Sequence, residues 1–185
     1  KSLFVGFPSN YTFKYKKKRT DLNDKRVKKL FICGGSQGAV SMNRIILDLL
    51  CKMPKNILNQ LQISIQCPEM QEKEVRKILN KLSVNYDLKN FYNEFVEKLN
   101  KTDLLITRSG AGTVNDVILS NTPTIFVPLP SSANNHQYYN ANFLLKQKAA
   151  LLIEQKNLNT KESLLQIINL LTNLNQQIKL INNLL

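Results

Sequence analysis

No stretch of this 185-residue chain comes near the roughly 20 consecutive apolar residues that a membrane-spanning helix needs. Nothing in Lys1-Ser2-Leu3-Phe4-Val5-Gly6 resembles a secretion signal, and there is no initiator methionine, so the chain is expected to be a piece cut from something longer. Cysteine is scarce: Cys33, Cys51 and Cys67 form no CxxC and no Cys/His cluster. A zinc site is thereby disfavoured, and the thiols are expected to be reduced and buried in a cytoplasmic protein. There is one histidine, His136, and no DxD pair or GKS/GKT phosphate loop. A self-contained acid–base apparatus is therefore not evident.

Acidic residues are also few. Lys and Arg number 26 against 13 Asp and Glu, giving a formal charge of +13. Much of the excess lies at Lys14, Lys16, Lys17, Lys18 and Arg19, then Lys25, Arg26, Lys28 and Lys29. Nucleic acid, an anionic membrane surface, or simply water over a Lys-rich loop would each suit such a run. No aromatic RNA-binding signature accompanies it. With 43% hydrophobic and 21% charged residues the composition is that of a globular domain, long enough for a full core.

Glycine is rare but concentrated. Of 6 glycines, all but Gly6 sit in two turns, Gly34-Gly35-Ser36-Gln37-Gly38 and Gly110-Ala111-Gly112. Each turn follows an apolar run, 30–33 and 103–107, and opens a helical pattern. Such a junction presents free backbone N–H groups and the positive end of a helix dipole, which suits a phosphate. The first turn departs from the GxGxxG fingerprint, and the next strand ends at Gln66-Cys67 with no acid to hold a ribose.

Periodicity predicts strands at 29–33, 62–67, 87–92, 103–107, 124–127 and 150–153. Helices are expected at 39–53, 69–82, 95–100, from the second turn to about 120, and at 136–148. Two more follow, one capped by Thr160 and one carrying Leu174, Ile178, Ile181 and Leu185 as a face open to exposure. Residues 1–26 read as a linker and basic loop. The alternation implies an α/β fold, a Rossmann-like doubly wound parallel sheet with ligands at the carboxyl ends of its strands. Both glycine turns and the loop 128–135 lie at such ends.

Each candidate residue has a plain role beside a functional one. Ser36 would cap its helix or meet a phosphate. Ser109 would cap the second helix, while Thr113 and the amides of 111 to 113 would bind a pyrophosphate. Asp116 would favour the helix start by charge or accept from a ribose hydroxyl. His136 is a surface residue or a sugar contact. The Gln137 amide suits sugar hydroxyls. Tyr92 is core or the neighbour of a base.

Four segments stand in the order and spacing of one family: Gly34-Gly35-Ser36-Gln37-Gly38-Ala39, Arg108-Ser109-Gly110-Ala111-Gly112-Thr113-Val114, Pro123-Thr124-Ile125-Phe126-Val127-Pro128 and His136-Gln137-Tyr138-Tyr139-Asn140-Ala141. Over roughly residues 6–155 the chain resembles the MurG family of N-acetylglucosaminyltransferases, which convert lipid I to lipid II in peptidoglycan synthesis. The resemblance implies the C-terminal, UDP-GlcNAc-binding half of a GT-B fold. It implies an inverting transfer without metal or other cofactor. The lipid I acceptor site and the catalytic base would lie on an N-terminal domain absent from this chain. A peripheral place on the cytoplasmic face of the plasma membrane is implied, with no nucleic-acid partner.

The donor site implied by the resemblance comprises Gly35, Ser36, Gln37, Tyr92 (through its backbone), Ala111, Gly112, Thr113, Val114, Asn115, Asp116, His136 and Gln137. Asp116 stands where the family usually has Glu. Asn10 stands where the family has an Arg, which removes a phosphate-facing cation unless Lys14 or Lys16 replaces it. A non-catalytic nucleotide-sugar-binding subunit that works with a partner chain is the alternative reading.

Overall fold

The computed structural model describes residues 27–184, with residues 35–39 described by their backbone alone. The Asn10, Lys14 and Lys16 expectations lie outside the described residues.

Six parallel strands form one sheet in the order β3-β2-β1-β4-β5-β6. They are β1 (Lys28–Cys33), β2 (Leu61–Gln66), β3 (Asn85–Lys89), β4 (Leu104–Thr107), β5 (Thr124–Phe126) and β6 (Leu151–Leu152). Between them run α1 (Gly35–Cys51), α2 (Lys55–Leu58), α3 (Glu69–Leu82), α4 (Phe95–Asn100), α5 (Ala111–Ser120) and α6 (His136–Lys146). After β6 come α7 (Lys161–Thr172) and α8 (Leu174–Asn182). Short 3-10 turns span Ala133–Asn135 and Gln155–Asn157.

The strands are apolar because both faces of the sheet are covered. Alternate residues of β1 go opposite ways. Leu30 and Ile32 enter one buried cluster with Met42, Ile46, Val75, Leu79 and Ile167. Phe31 and Cys33 enter a second with Leu99, Val117, Ala141 and Leu144. Thus α1, α3 and α7 cover one face, and α4, α5 and α6 the other.

The chain order reverses direction between β1 and β4. From β1 the chain winds outward through β2 to β3, then returns to place β4 on the other side. Strands β1 and β4 are direct neighbours, with Cys33 opposite Thr107. Both glycine turns therefore leave the sheet side by side at its topological switch point, where open α/β sheets bind ligands.

Several expectations are revised. Helix α1 begins at Gly35, four residues earlier than the periodicity implied, because its apolar face starts only at Met42 while its first turn is glycine and polar. The strand expected at 87–92 is Asn85–Lys89, and the one at 150–153 shrinks to Leu151–Leu152. Cys51 is exposed at the end of α1, whereas Cys33 and Cys67 are buried. The last helix packs back on the domain. Gln177, Leu180 and Ile181 are buried, and Gln177 Nε2 donates to Leu170 O at 2.6 Å. Ile178 is 37% exposed, so the covered face is rotated from the one expected.

Candidate functional site

Helix α5 starts without a side-chain cap. Its N-cap is Gly110, and the first bond of the helix runs from Val114 N to Gly110 O at 3.0 Å. The amides of Ala111, Gly112 and Thr113 precede that bond and face outward at the dipole's positive end. Helix α1 likewise starts at Gly34 with no side-chain cap. Two uncapped N-termini thus open from adjacent strands, each equivalent to about half a positive charge.

Gly110 has φ −60° and ψ 148°, extended backbone that any residue adopts. A Cβ built there meets nothing within 4 Å. Neither backbone strain nor crowding requires glycine at this position. Open space in front of uncapped amides is what an approaching anion needs.

Ser109 is fully buried and does not cap the helix, as one sequence reading had it. Its hydroxyl donates to Gln137 O at 2.7 Å. Gln137 Oε1 accepts from Ser109 N at 3.3 Å and from Leu129 N at 3.0 Å. Asn140 Nδ2 donates to Ser109 O at 3.1 Å. The start of α6 is therefore clasped to the second glycine turn and to the loop after β5. That leaves Gln137 Nε2 as the amide's donor, with no partner shown among the described residues.

Arg108 sits beneath this clasp with 4% exposure. Its Nη1 donates to Val127 O at 3.0 Å and Pro128 O at 3.2 Å. Its Nη2 donates to Gln155 Oε1 at 2.6 Å and Ser41 Oγ at 3.3 Å. One guanidinium thereby joins β4, the loop after β5, helix α1 and the 3-10 turn after β6. Burial lowers its pKa to about 10, so it remains a cation at neutral pH beneath the two helix starts. A charge in such a low-dielectric place adds to the positive potential there.

Asp116 is half-buried one turn into α5, and burial pushes its carboxyl pKa up. Beside it, the Asn115 Nδ2 is buried with no hydrogen-bond partner among the described residues. Val114 turns into the second core cluster, and its amide is already bonded to Gly110 O. That leaves the amides of 111 to 113 as the part of this turn ahead of the first helical bond. Gly35, Ser36 and Gln37 form the first turn of α1 rather than a separate loop, so Ser36 lies inside the helix and not at its cap.

Tyr92 is a core residue by its side chain. It is 7% exposed, meets Phe31 edge-on at 4.9 Å, and donates its hydroxyl to Asp87 O at 3.0 Å. Burial, reinforced by the Asp87 carboxylate, raises the phenol pKa. Its ring is not a platform for a base, and a ligand contact there would have to use the backbone. His136 is exposed, with Nδ1 2.8 Å from Ala133 O.

Sequence reasoning gave no role to Arg108, Asn140 or Gln155. A usable signal existed for Arg108: a lone cation between an apolar strand and a glycine turn has to be buried and hydrogen-bonded. Asn140 and Gln155 carry no comparable local signal.

The sequence matches the glycosyltransferase family 28 C-terminal domain over residues 29–183. It is 36% identical over 147 residues to a Rickettsia typhi protein named UDP-N-acetylglucosamine–N-acetylmuramyl-(pentapeptide) pyrophosphoryl-undecaprenol N-acetylglucosamine transferase, covering 78% of this chain and 38% of that one. A protein of the same name from Rickettsia bellii is 35% identical over 153 residues, covering 82% and 43%. The crystal structure of Acinetobacter baumannii MurG superposes with a TM-score of 0.74 at 27% identity, covering 89% of this chain and 48% of that one. The chain spans less than half the length of these relatives. With matched sequence from β1 through α8 and both glycine turns at the switch point, the chain belongs to the glycosyltransferase family 28 C-terminal domain family.

Proposed function

We propose that this chain is the donor-binding half of an inverting N-acetylglucosaminyltransferase that takes UDP-GlcNAc and glycosylates lipid I to give lipid II. The observation that carries the reading is the pair of uncapped helix N-termini leaving neighbouring strands β1 and β4, with Arg108 buried beneath them. The diphosphate would lie across the amides of 111 to 113 and the first turn of α1, including Ser36. The uridine would extend toward β3, its base meeting the backbone at Tyr92 and its ribose meeting Asp116. The sugar would lie toward β5, where the Gln137 Nε2 and His136 meet its hydroxyls.

In the reaction a hydroxyl oxygen of the acceptor forms a bond to the anomeric carbon. The bond from that carbon to the β-phosphate oxygen breaks, and UDP leaves with the electron pair. The hydroxyl proton passes to a base, which belongs to the acceptor-binding domain in this reading. What this chain supplies is stabilisation of the charge growing on the leaving diphosphate, by fixed amide dipoles at two helix starts. Those dipoles are already oriented, so no reorganisation is needed as charge develops.

A peripheral position at the cytoplasmic face of the plasma membrane follows from a lipid-linked acceptor, and the charge of +13 suits an anionic surface. Among the described residues no helix is long and apolar enough to cross a membrane.

Calorimetric titration with UDP-GlcNAc, UDP-glucose and UDP tests the donor reading. Tighter binding of UDP-GlcNAc than of UDP-glucose, weakened by Gln137→Glu and by Thr113→Val, is the expected result. Absence of binding by all three nucleotides, from a chain that melts cooperatively, would sink it.

A further inference from the structure

On the donor reading, on which the following rests, the ligand runs along the carboxyl edge of the sheet: base by β3, diphosphate at β1 and β4, sugar by β5. One strand further along, beside β6, lies a cleft of about 500 Å³. Its walls are the loop after β5 (Pro128, Leu129, Pro130, Ser132), the start of α6 (Tyr138, Tyr139) and residues 154–156. It adjoins the sugar position directly, because Leu129 N is held by Gln137 Oε1 and Gln155 is held by Arg108.

The chemistry of this cleft fits a saccharide. Tyr138 and Tyr139 meet edge-on at 5.8 Å and are 38% and 65% exposed. Together with Pro128 and Pro130 they present flat apolar surface for the C–H face of a pyranose. Polar groups stand around it. Glu154 lies 2.8 Å from Lys156 and offers carboxylate oxygens, and the Ser132 hydroxyl is buried with no partner among the described residues. Asn134 and Asn135 hold left-handed backbone, φ 49° and 54°, which fixes the loop that forms one wall. Asparagine tolerates that conformation at low cost.

We infer that this cleft is a subsite for the acceptor sugar, holding the saccharide whose hydroxyl attacks the donor. A cleft beyond the donor sugar, on the side away from the leaving diphosphate, is where an in-line attacking group must stand. The C-terminal domain would then position both substrates, and the acceptor domain would not act alone in orienting the attack.

The test is a heteronuclear NMR titration of the chain with the methyl glycoside of N-acetylmuramic acid, with and without saturating UDP, and separately with UDP-GlcNAc. The expected result is saturable shifts at the amides of 129, 131–139 and 154–156, with affinity lowered about tenfold by Tyr139→Ser, the loss expected for one apolar ring face. Because Tyr139 is exposed, its melting temperature should match the parent chain. If UDP-GlcNAc shifts 111–113 while the muramide leaves the cleft unmoved, the inference fails and the donor reading stands. Should UDP-GlcNAc itself occupy the cleft, shifting 154–156 as strongly as 111–113, the cleft belongs to the donor and the inference is overturned. Muramide binding in a chain that ignores every uridine nucleotide would overturn the donor reading, and with it the acceptor role.

Discussion

Gln137 has two ends with separable duties. Its Oε1 accepts from two backbone amides, Ser109 N and Leu129 N, while its Nε2 has no partner among the described residues and is the end proposed to meet a sugar hydroxyl. Gln137→Glu keeps the acceptor oxygen and replaces the NH2 donor with a second oxygen that carries negative charge. It should melt within a few degrees of the parent chain, bind UDP unchanged, and lose most of the advantage of UDP-GlcNAc over UDP. Gln137→Ala, in contrast, strands both amides and should cost about 1–3 kcal/mol of stability in urea unfolding. Arg108 is more demanding. Arg108→Met leaves the Val127 and Pro128 carbonyls without their donor and should destabilise by about 3 kcal/mol or more. Arg108→Lys should rescue little, because an ammonium cannot span the carbonyls and Gln155 as the planar fork does.

Asp116 gives a pH signature at the same scale. Burial raises its folded pKa, so the native state holds a proton over a window in which the unfolded chain has lost it. Its contribution to stability therefore falls as pH rises from about 4, the ordinary carboxylate value, through the folded value. Asp116→Asn should melt higher than the parent at pH 7, with the difference vanishing below about pH 4. The same substitution should weaken UDP binding, because ribose hydroxyls donating to the carboxylate favour its charged form. A variant that is no more stable at pH 7 would show that the carboxyl is solvated.

At the scale of elements, the decisive feature is how helices begin. Helix α7 is capped in the ordinary way, with Thr160 Oγ1 accepting from Ser163 N at 3.2 Å. Thr160→Ala should cost about 1 kcal/mol, read as a shift of the urea midpoint. Helices α1 and α5 carry no such cap, and unlike the other uncapped helices they begin side by side, at the ends of neighbouring strands β1 and β4. Gly110→Ala separates fold from function. Its backbone angles suit alanine and its Cβ meets nothing, so stability should hold or rise by about 0.4–1 kcal/mol. Nucleotide binding should nevertheless fall, because the methyl occupies the approach to the 111–113 amides. Unchanged UDP affinity in Gly110→Ala would argue against an anion at that helix start.

Across the whole molecule, the two buried clusters lie on opposite faces of the sheet, and α7 with α8 closes the first of them. Leu180 and Ile181 are 7% and 8% exposed, and Asn183 Nδ2 donates to Lys148 O at 2.8 Å. Leu180→Ala should destabilise by about 2–4 kcal/mol, measured by denaturant unfolding. The same helix reads in sequence as a face open to exposure, because its periodicity gives the angle of the stripe but not the surface that meets it.

The sequence by itself determined the fold class and the place of the two glycine turns at the carboxyl ends of their strands. Apolar strands alternating with amphipathic helices require a covered parallel sheet, and glycine after an apolar run requires a tight strand–helix junction there. Both are local demands of backbone and periodicity, legible without neighbours. Only the tertiary structure decided which groups face a ligand. Ser109 reads in sequence as a helix cap and Tyr92 as core or a neighbour of a base, yet one grips Gln137 and the other lies under Asp87. Arg108 unites four segments far apart in sequence, and Gln155 and Asn140 enter the site through those contacts. Hydrogen bonds between residues dozens of positions apart leave no periodic trace in the chain. They exist because β1, β4, β5 and β6 stand next to one another in the sheet and bring their following segments together.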